Sequence, residues 1–332
     1  METIKLRSVN KNASRIGLGT WSIGGWMWGG SDEKESVKTI LKALDKGISL
    51  IDTAPVYGFG KSEEIVGKAL KEYGKRDDIT LVTKVGLDWK DEQPFRNSSK
   101  ERLQKEIEDS LRRLQTDYID VYMIHWPDTN VPFGETAHQM TKFQEQGKIR
   151  SIAVSNYQPV QMEGFRRHAE LDMLEPPYNL FERDIEKRTL PYCKENHIKT
   201  IVYGAICRGM LSGKMTKDRE FEGDDLRKHD PKFQGERFDM YLKAVDKLDK
   251  FAQENYNKRV IHLAVRWLLD HGADIALWGP RKPSQLDVID NMTGWSLNKA
   301  DMDEIDRIID ETITDPVGPE FMAPPEKPES ES

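Results

Sequence analysis

The sequence predicts an α/β fold, a single (β/α)8 TIM barrel with an N-terminal β-hairpin and an extra C-terminal helix. Three observations predict it. Short apolar runs rich in β-branched residues recur eight times, each followed by a loop and an amphipathic stretch. The runs are continuous rather than alternating, as suits parallel strands covered by helices. The polar residues capable of chemistry fall at the ends of those runs, where barrels carry their reactive groups. A length of 332 residues would otherwise suggest about two domains, but α/β barrels reach this size as one. No linker interrupts residues 1–315, which read as one domain, followed by a tail at 316–332.

The predicted strands are 15–21, 48–54, 79–85, 118–124, 149–154, 171–174, 198–204 and 274–278. Residues 5–16 hold a polar Asn10-Lys11-Asn12 turn between short apolar segments, which reads as the hairpin. Asp32 with Glu35 marks a helix start, Val37, Ile40, Leu41 and Leu44 form its apolar stripe, and Gly47 sits where a helix-ending glycine belongs. Ser62 is expected to start the next helix and Gly74 to end it, with Ile65, Val66, Ala69 and Leu70 inward. Leu103, Ile107, Leu111 and Leu114 repeat the pattern over 99–114, and Gly147 closes a fourth helix. Residues 214–231 are charged and Asp/Gly-rich, and read as an extended loop over the barrel mouth. The tail is rich in Pro and Glu, and its last residues read as disordered.

Composition excludes several classes. The net charge is −7 with both signs mixed, and no basic stripe points to nucleic acid or an anionic membrane. No apolar run reaches the roughly 18 residues of a membrane span, and the N-terminus lacks a signal-peptide core. The two cysteines, Cys193 and Cys207, have no C-x-x-C spacing, which suits a reducing, cytoplasmic setting. Neither reads as a nucleophile. No metal-ligand cluster is seen and no obligate protein partner is implied.

The chemistry lies at three strand ends. Strand two ends Asp52-Thr53-Ala54-Pro55-Val56-Tyr57, strand three Thr83-Lys84, and strand four His125-Trp126. Asp52 alone could be a turn cap, Tyr57 a packing residue and His125 a structural histidine. Lys84 needs a partner in an apolar mouth. Together they form a proton-donor set. An ammonium beside a phenol favours phenolate, so Lys84 is expected to lower the Tyr57 pKa from its usual value near about 10. Asp52 is expected to neutralise and orient Lys84, and His125 to donate to a substrate oxygen. Trp21, Trp26, Trp28, Trp89 and Trp126 fall at the mouth and suggest an aromatic pocket for small or aromatic carbonyls. Gly58-Phe59-Gly60 lacks the third glycine of a dinucleotide fingerprint. Arg281-Lys282, opening a helix after strand eight, reads as an anion site.

The string Asp52-Thr53-Ala54-x-x-Tyr57-Gly58-x-Gly60-x-Ser62-Glu63 resembles the signature of the aldo-keto reductase superfamily. Gly17-Leu18-Gly19-Thr20-Trp21, Thr83-Lys84 and Ser155-Asn156 strengthen the likeness, which runs from about residue 3 to 325. The strings at 221–234, 260–270 and 315–325 are closer still to the bacterial general stress protein 69 type. The resemblance implies NADPH-dependent reduction of aldehydes and ketones, with broad specificity suited to removing reactive aldehydes under stress. It makes Asp52, Tyr57, Lys84 and His125 a catalytic tetrad. It places Thr20 and Trp21 among the cofactor-binding residues, and Ser155, Asn156 and Tyr203 at the nicotinamide. It assigns Arg208, Gly209, Leu211 and Lys214 to the pyrophosphate, and Gly279, Arg281, Lys282 and Gln285 to the 2′-phosphate end. Glu175 stands where the family usually has Gln, and Ile289 where it often has an adenine-contacting Asn. An ionised Glu175 would be an acceptor only and would favour the oxidised ring. Two other readings stay open: an NADPH-sensing regulatory subunit of the same fold, and an aldolase using Lys84 as a Schiff base.

Overall fold

A computed structural model describes residues 1–327 of the chain. Antiparallel β1 (Thr3–Leu6) and β2 (Lys11–Ser14) form the N-terminal hairpin. Then β3 (Ile16–Gly19), β4 (Leu50–Asp52) and β5 (Thr80–Val85) open the barrel. A second hairpin, β6 (Leu87–Lys90) and β7 (Gln93–Arg96), follows. Strands β8 (Ile119–Ile124), β9 (Ile149–Ser155), β10 (Met173–Glu175), β11 (Lys199–Val202) and β12 (Ile275–Trp278) complete the ring. The eight barrel strands pair in parallel and in chain order, with β12 closing on β3.

Helices cover the outside. α1 (Trp21–Gly24) and α2 (Glu33–Asp45) follow β3, α3 (Lys61–Tyr73) follows β4, and α4 (Lys100–Leu114) follows the second hairpin. α5 (Phe133–Glu145), α6 (Pro159–Arg166) and α7 (Thr189–Glu195) follow β8, β9 and β10. α8 (Gly235–Tyr256) and α9 (Val260–Asp270) both follow β11, and α10 (Lys299–Thr312) is the additional C-terminal helix. Among the described residues no helix is long and apolar enough to cross a membrane.

The continuous apolar runs have their reason in this arrangement. Leu50, Val82, Val121, Met123, Ala153, Met173, Ile201 and Ile275 fill the barrel interior, with Leu6, Val9 and Ala13 of the hairpin packed among them as a floor. Ile51, Leu81, Tyr122, Ile124, Val154 and Val202 face the helices instead. Each fully buried Leu, Ile, Val or Met among them contributes roughly 1.5–3 kcal/mol relative to exposure. Gly17 leaves room for this filling, since a Cβ there would lie 2.7 Å from Leu50 Cδ2 and 2.8 Å from Leu277 Cδ2.

Several local details differ from the sequence reading. The hairpin turn falls at 7–10, because Leu6 pairs with Lys11; Asn10, at φ 53°, takes the left-handed conformation that Asn tolerates. Ser62 does not cap α3. Gly60 at φ 102° does, and the buried Ser62 hydroxyl bonds Thr20 O at 3.0 Å and Thr53 Oγ1 at 3.0 Å, tying two strand ends together. Asp32 caps α2 by accepting from Glu35 N. The β6–β7 hairpin and the long α8 were not anticipated.

Two segments close over the mouth. In the loop after β11, Asp224 accepts from Met27 N at 2.6 Å and Gly29 N at 2.9 Å, and Leu226 N donates to Met27 O at 3.0 Å. The stretch 317–326 also folds back, whereas the disorder expected at the chain's end falls on residues 328–332, outside the described residues. Arg96 fastens this stretch. Its backbone N–H donates to Pro325 O at 2.9 Å, its Nε to Pro324 O at 3.0 Å and its Nη1 to Pro127 O at 2.9 Å. Arg96→Ala is therefore expected to free 319–327 for limited proteolysis at a concentration that leaves the wild type intact. Equal cleavage of both would show that Arg96 is not the fastener.

Candidate active site

Strand alternation decides which side chains reach the mouth. Residues two apart share a face. Leu50, Val82, Met123, Ala153, Met173 and Ile201 lie inside the barrel. The next interior positions are therefore Asp52, Lys84, His125, Ser155, Glu175 and Tyr203. The structure brings all six to one end of the barrel.

Local contacts then hold each group. Thr83 points the other way and donates to the buried Glu63 at 2.6 Å, which fixes the rotation of β5. After Asp52 the chain turns back, with Tyr57 N donating to Ala54 O at 3.1 Å. Gly58 makes that turn possible. It sits at φ 67°, and a Cβ there would lie 2.3 Å from Gly24 O. His125 is held by its backbone N–H to Val85 O at 2.8 Å.

Lys84 is fully buried, ion-paired directly to Asp52, bonded to Thr53 O at 3.1 Å and 3.3 Å from Glu175 Oε1. Its ammonium lies 5.1 Å from the Tyr57 ring centre. The His125 ring meets Tyr57 edge-on at 5.8 Å, and Trp21 stacks against it at 5.9 Å.

Burial sets the protonation states. It pulls the Lys84 ammonium down, but the Asp52 and Glu175 carboxylates outweigh it and hold Lys84 above its ordinary range. Burial pushes the Tyr57 phenol up, and Lys84 offsets this only in part. The expected lowering of the Tyr57 pKa is thus reversed, because desolvating a phenolate costs more than one nearby cation returns. Burial, then Lys84, keeps His125 well below the usual histidine range, as a neutral imidazole. Burial, then Asp52, raises the Glu175 carboxyl well above the carboxylate range. Burial thus opposes the ionised, acceptor-only Glu175 that was expected. Burial also pushes the Cys207 and Cys193 thiols up to about 12, so both stay protonated.

Above these groups lies a cavity of about 1110 Å³. Its lining includes Trp21, Trp26, Trp28 and Trp126, then Ser155, Asn156, Glu175 and Tyr203, and also Gly279, Arg281, Lys282 and Gln285. The Tyr203 hydroxyl donates to Asn156 Oδ1 at 2.8 Å. Five expected residues do not line it, among them Lys84, which is fully buried beneath. Thr20 lies beneath, donating to Asp52 O at 2.8 Å, and Trp89 stands behind Phe59 at 5.5 Å. Leu211 is core and Lys214 is exposed.

Arg208 and Gly209 do reach the cavity, but the Arg208 charge is spent internally. Its guanidinium pairs with Glu182 and, at 2.6 Å, with Asp230. Lys232 joins the same buried cluster at 2.8 Å from Glu182 and donates to Gly318 O at 3.0 Å. The cluster ties the loop after β11 to the C-terminal stretch. An anion near Arg208 would meet backbone N–H groups more than free charge.

Sequence reasoning missed part of the lining. Phe321, Met322, Pro324 and Pro325 form one wall, and Arg219 and Arg227 come from the loop after β11. The apolar pair Phe321-Met322 inside a Pro/Glu-rich tail was the available signal. The Arg227 guanidinium lies 4.4 Å from the Phe221 ring centre. Burial, then Arg227, holds Arg281 below its ordinary range; Arg227 is itself paired with Asp225 at 2.5 Å, and Arg281 donates to Gly30 O at 2.6 Å. Several polar atoms around the cavity also lack partners, among them Trp21 Nε1, Ser22 Oγ and Glu175 Oε2. A long, polar-ended cavity with open donors and a cationic rim fits an extended dinucleotide phosphate.

This barrel, with its mouth-facing phenol, ammonium, imidazole and carboxylates, belongs to the aldo/keto reductase family, whose profile matches residues 15–310. By that membership it is an oxidoreductase. The chain is 60% identical over 330 residues to aldo-keto reductase YhdN of Bacillus subtilis strain 168, covering 99% of this chain and 100% of that protein. It is 35% identical to the NADH-specific methylglyoxal reductase of Escherichia coli K12, covering 91% of this chain and 96% of that one. Among solved structures, a glycerol dehydrogenase from Gluconobacter oxydans superposes with a TM-score of 0.88 at 48% identity, covering 97% of this chain and 99% of that one.

Proposed function

We propose that this protein reduces small aldehydes and ketones to alcohols with NADPH, using Tyr57 as the general acid. One observation carries the reading: a protonated phenol, flanked by a buried ammonium and a neutral imidazole, faces a cavity whose rim is cationic. A bound NADPH supplies the hydride. Tyr57 gives its proton to the carbonyl oxygen. Neutral His125 donates a second hydrogen bond to that oxygen, and Lys84 steadies the charge left on the phenol. Asp52 keeps Lys84 in place. The tryptophans and the 319–326 stretch exclude water and select uncharged carbonyls. Ser155, Asn156, Glu175 and Tyr203 would hold the nicotinamide end of the cofactor. Arg281 and Lys282, helped by Arg227, would hold the 2′-phosphate. The two cysteines are buried free thiols, which supports a reducing, cytoplasmic setting.

The test is loss of NADPH absorbance with a panel of small aldehydes. Turnover with at least one of them supports the reading. Tight NADPH binding with no turnover on any would instead favour a regulatory subunit.

Cofactor choice is separately testable, and one relative is named for NADH. A charged hydrogen bond is worth about 1.5–3 kcal/mol, and Arg–phosphate contacts are often bidentate. NADPH is therefore expected to bind at least about tenfold more tightly than NADH, since 1.4 kcal/mol is one decade. Arg281→Ala should remove most of the difference and leave NADH binding nearly unchanged. Dissociation constants for both cofactors decide it, and equal affinities in the wild type would rule out Arg281 as the phosphate reader.

A further inference from the structure

Two carboxylates share one ammonium under the cavity. Asp52, from the end of β4, is paired directly to Lys84, while Glu175, from the end of β10, is 3.3 Å away with its second oxygen unpartnered. All three side chains are almost fully buried. The other titratable groups that face Glu175 are Tyr57, from the turn after β4, and Tyr203, from the end of β11. Both are neutral phenols whose ionisation burial opposes. With both acids ionised the buried set would carry one uncompensated negative charge, which is strongly unfavourable. A single proton neutralises it. The carboxyl with the weaker hold on Lys84 keeps that proton, and this is Glu175.

Glu175 also lines the cavity, as do Tyr57 and Asn156. The proposed reaction changes the charge of the nicotinamide ring, which is positive when oxidised and neutral when reduced. We propose that Glu175 is a carboxylic acid in the free protein and with reduced cofactor, and that it gives up its proton when the oxidised ring binds. The O–H bond breaks with its electron pair left on the carboxylate, and the proton passes to solvent. The ring then supplies the positive charge that the proton had supplied. When Glu175 takes the proton back it weakens the hold on oxidised cofactor, which favours release of that product after reduction. This inference rests on the proposed use of NADPH.

The test needs binding only. Titration calorimetry of full-length protein at neutral pH, in buffers of different ionisation enthalpy, counts protons released per cofactor bound. Both forms carry the same 2′-phosphate, so its own titration cancels in the difference. NADP+ should release up to about one proton more than NADPH, and its affinity should rise with pH by up to about tenfold per unit while that of NADPH stays flat. Glu175→Gln should abolish the extra release and the slope. Infrared difference spectra of the wild type give a second readout, loss of a protonated-carboxyl band on adding NADP+ but not NADPH. Equal proton release for the two forms, or a difference that survives in Glu175→Gln, overturns the inference. Failure to bind either cofactor overturns the proposed function and this inference with it.

Discussion

Tyr57→Phe is expected to lower turnover by about 10²–10⁴, the usual loss when a general acid is removed. The substitution keeps the ring that packs on Trp21 and meets His125 edge-on, and removes only the hydroxyl that carries the proton. NADPH binding and folding should therefore survive. Single-turnover kinetics with saturating NADPH and aldehyde measure the step directly. The pH dependence adds a second check. Burial holds the Tyr57 phenol above its ordinary range, so the acid form persists through neutral and mildly alkaline pH. Ionisation of Tyr57 should not depress kcat/KM for reduction below about pH 10. Undiminished turnover in the variant would remove Tyr57 from the proton-donor role.

Lys84→Met should abolish most turnover and also destabilise the fold, because the two losses have one cause. Lys84 is the single cation held between the buried Asp52 and Glu175. Removing one partner of a buried ion pair typically costs about 3–5 kcal/mol. In the variant, burial and the proximity of the two carboxyls act with no cation to offset them, and keep both above their unfolded values near about 4. The native state then holds protons that the unfolded chain has released. Stability must fall as pH rises from about 4 through those raised values. Denaturant unfolding of wild type and variant at about pH 5 and about pH 8 should show the larger deficit at the higher pH. In the wild type Lys84 remains charged beyond its usual range, so its contribution is complete across that interval. A deficit independent of pH would mean that the carboxylates find another partner.

The barrel was legible because its signal is local and repeated. Strands such as β5 and β8 are apolar on both faces, since side chains on one face fill the barrel and those on the other meet helices. The cap at Asp32 and the turns at Gly47 and Gly74 are likewise set by short-range chemistry. The hairpin register was misplaced because Leu6 and Ala13 answer to the barrel floor and not to the turn's own polarity. The mouth residues Asp52, Tyr57, Lys84 and His125 were legible from strand ends and motif spacing together. The wall at Phe321 and Met322 was not, because its anchors are Arg96 and Lys232, about 225 and 90 residues away along the chain.

By itself, then, the sequence determined the barrel, its strand order and which polar groups stand at its mouth, since alternation and turn chemistry depend on near neighbours. Tertiary structure decided what those groups are. It reversed the sign expected for Tyr57, raised the Glu175 carboxyl, turned Arg208 from an anion ligand into a fastener and folded the tail into a wall. Each of these follows from burial and pairing between distant elements, and the free energy of a charge depends on its surroundings far more than on its place in the chain.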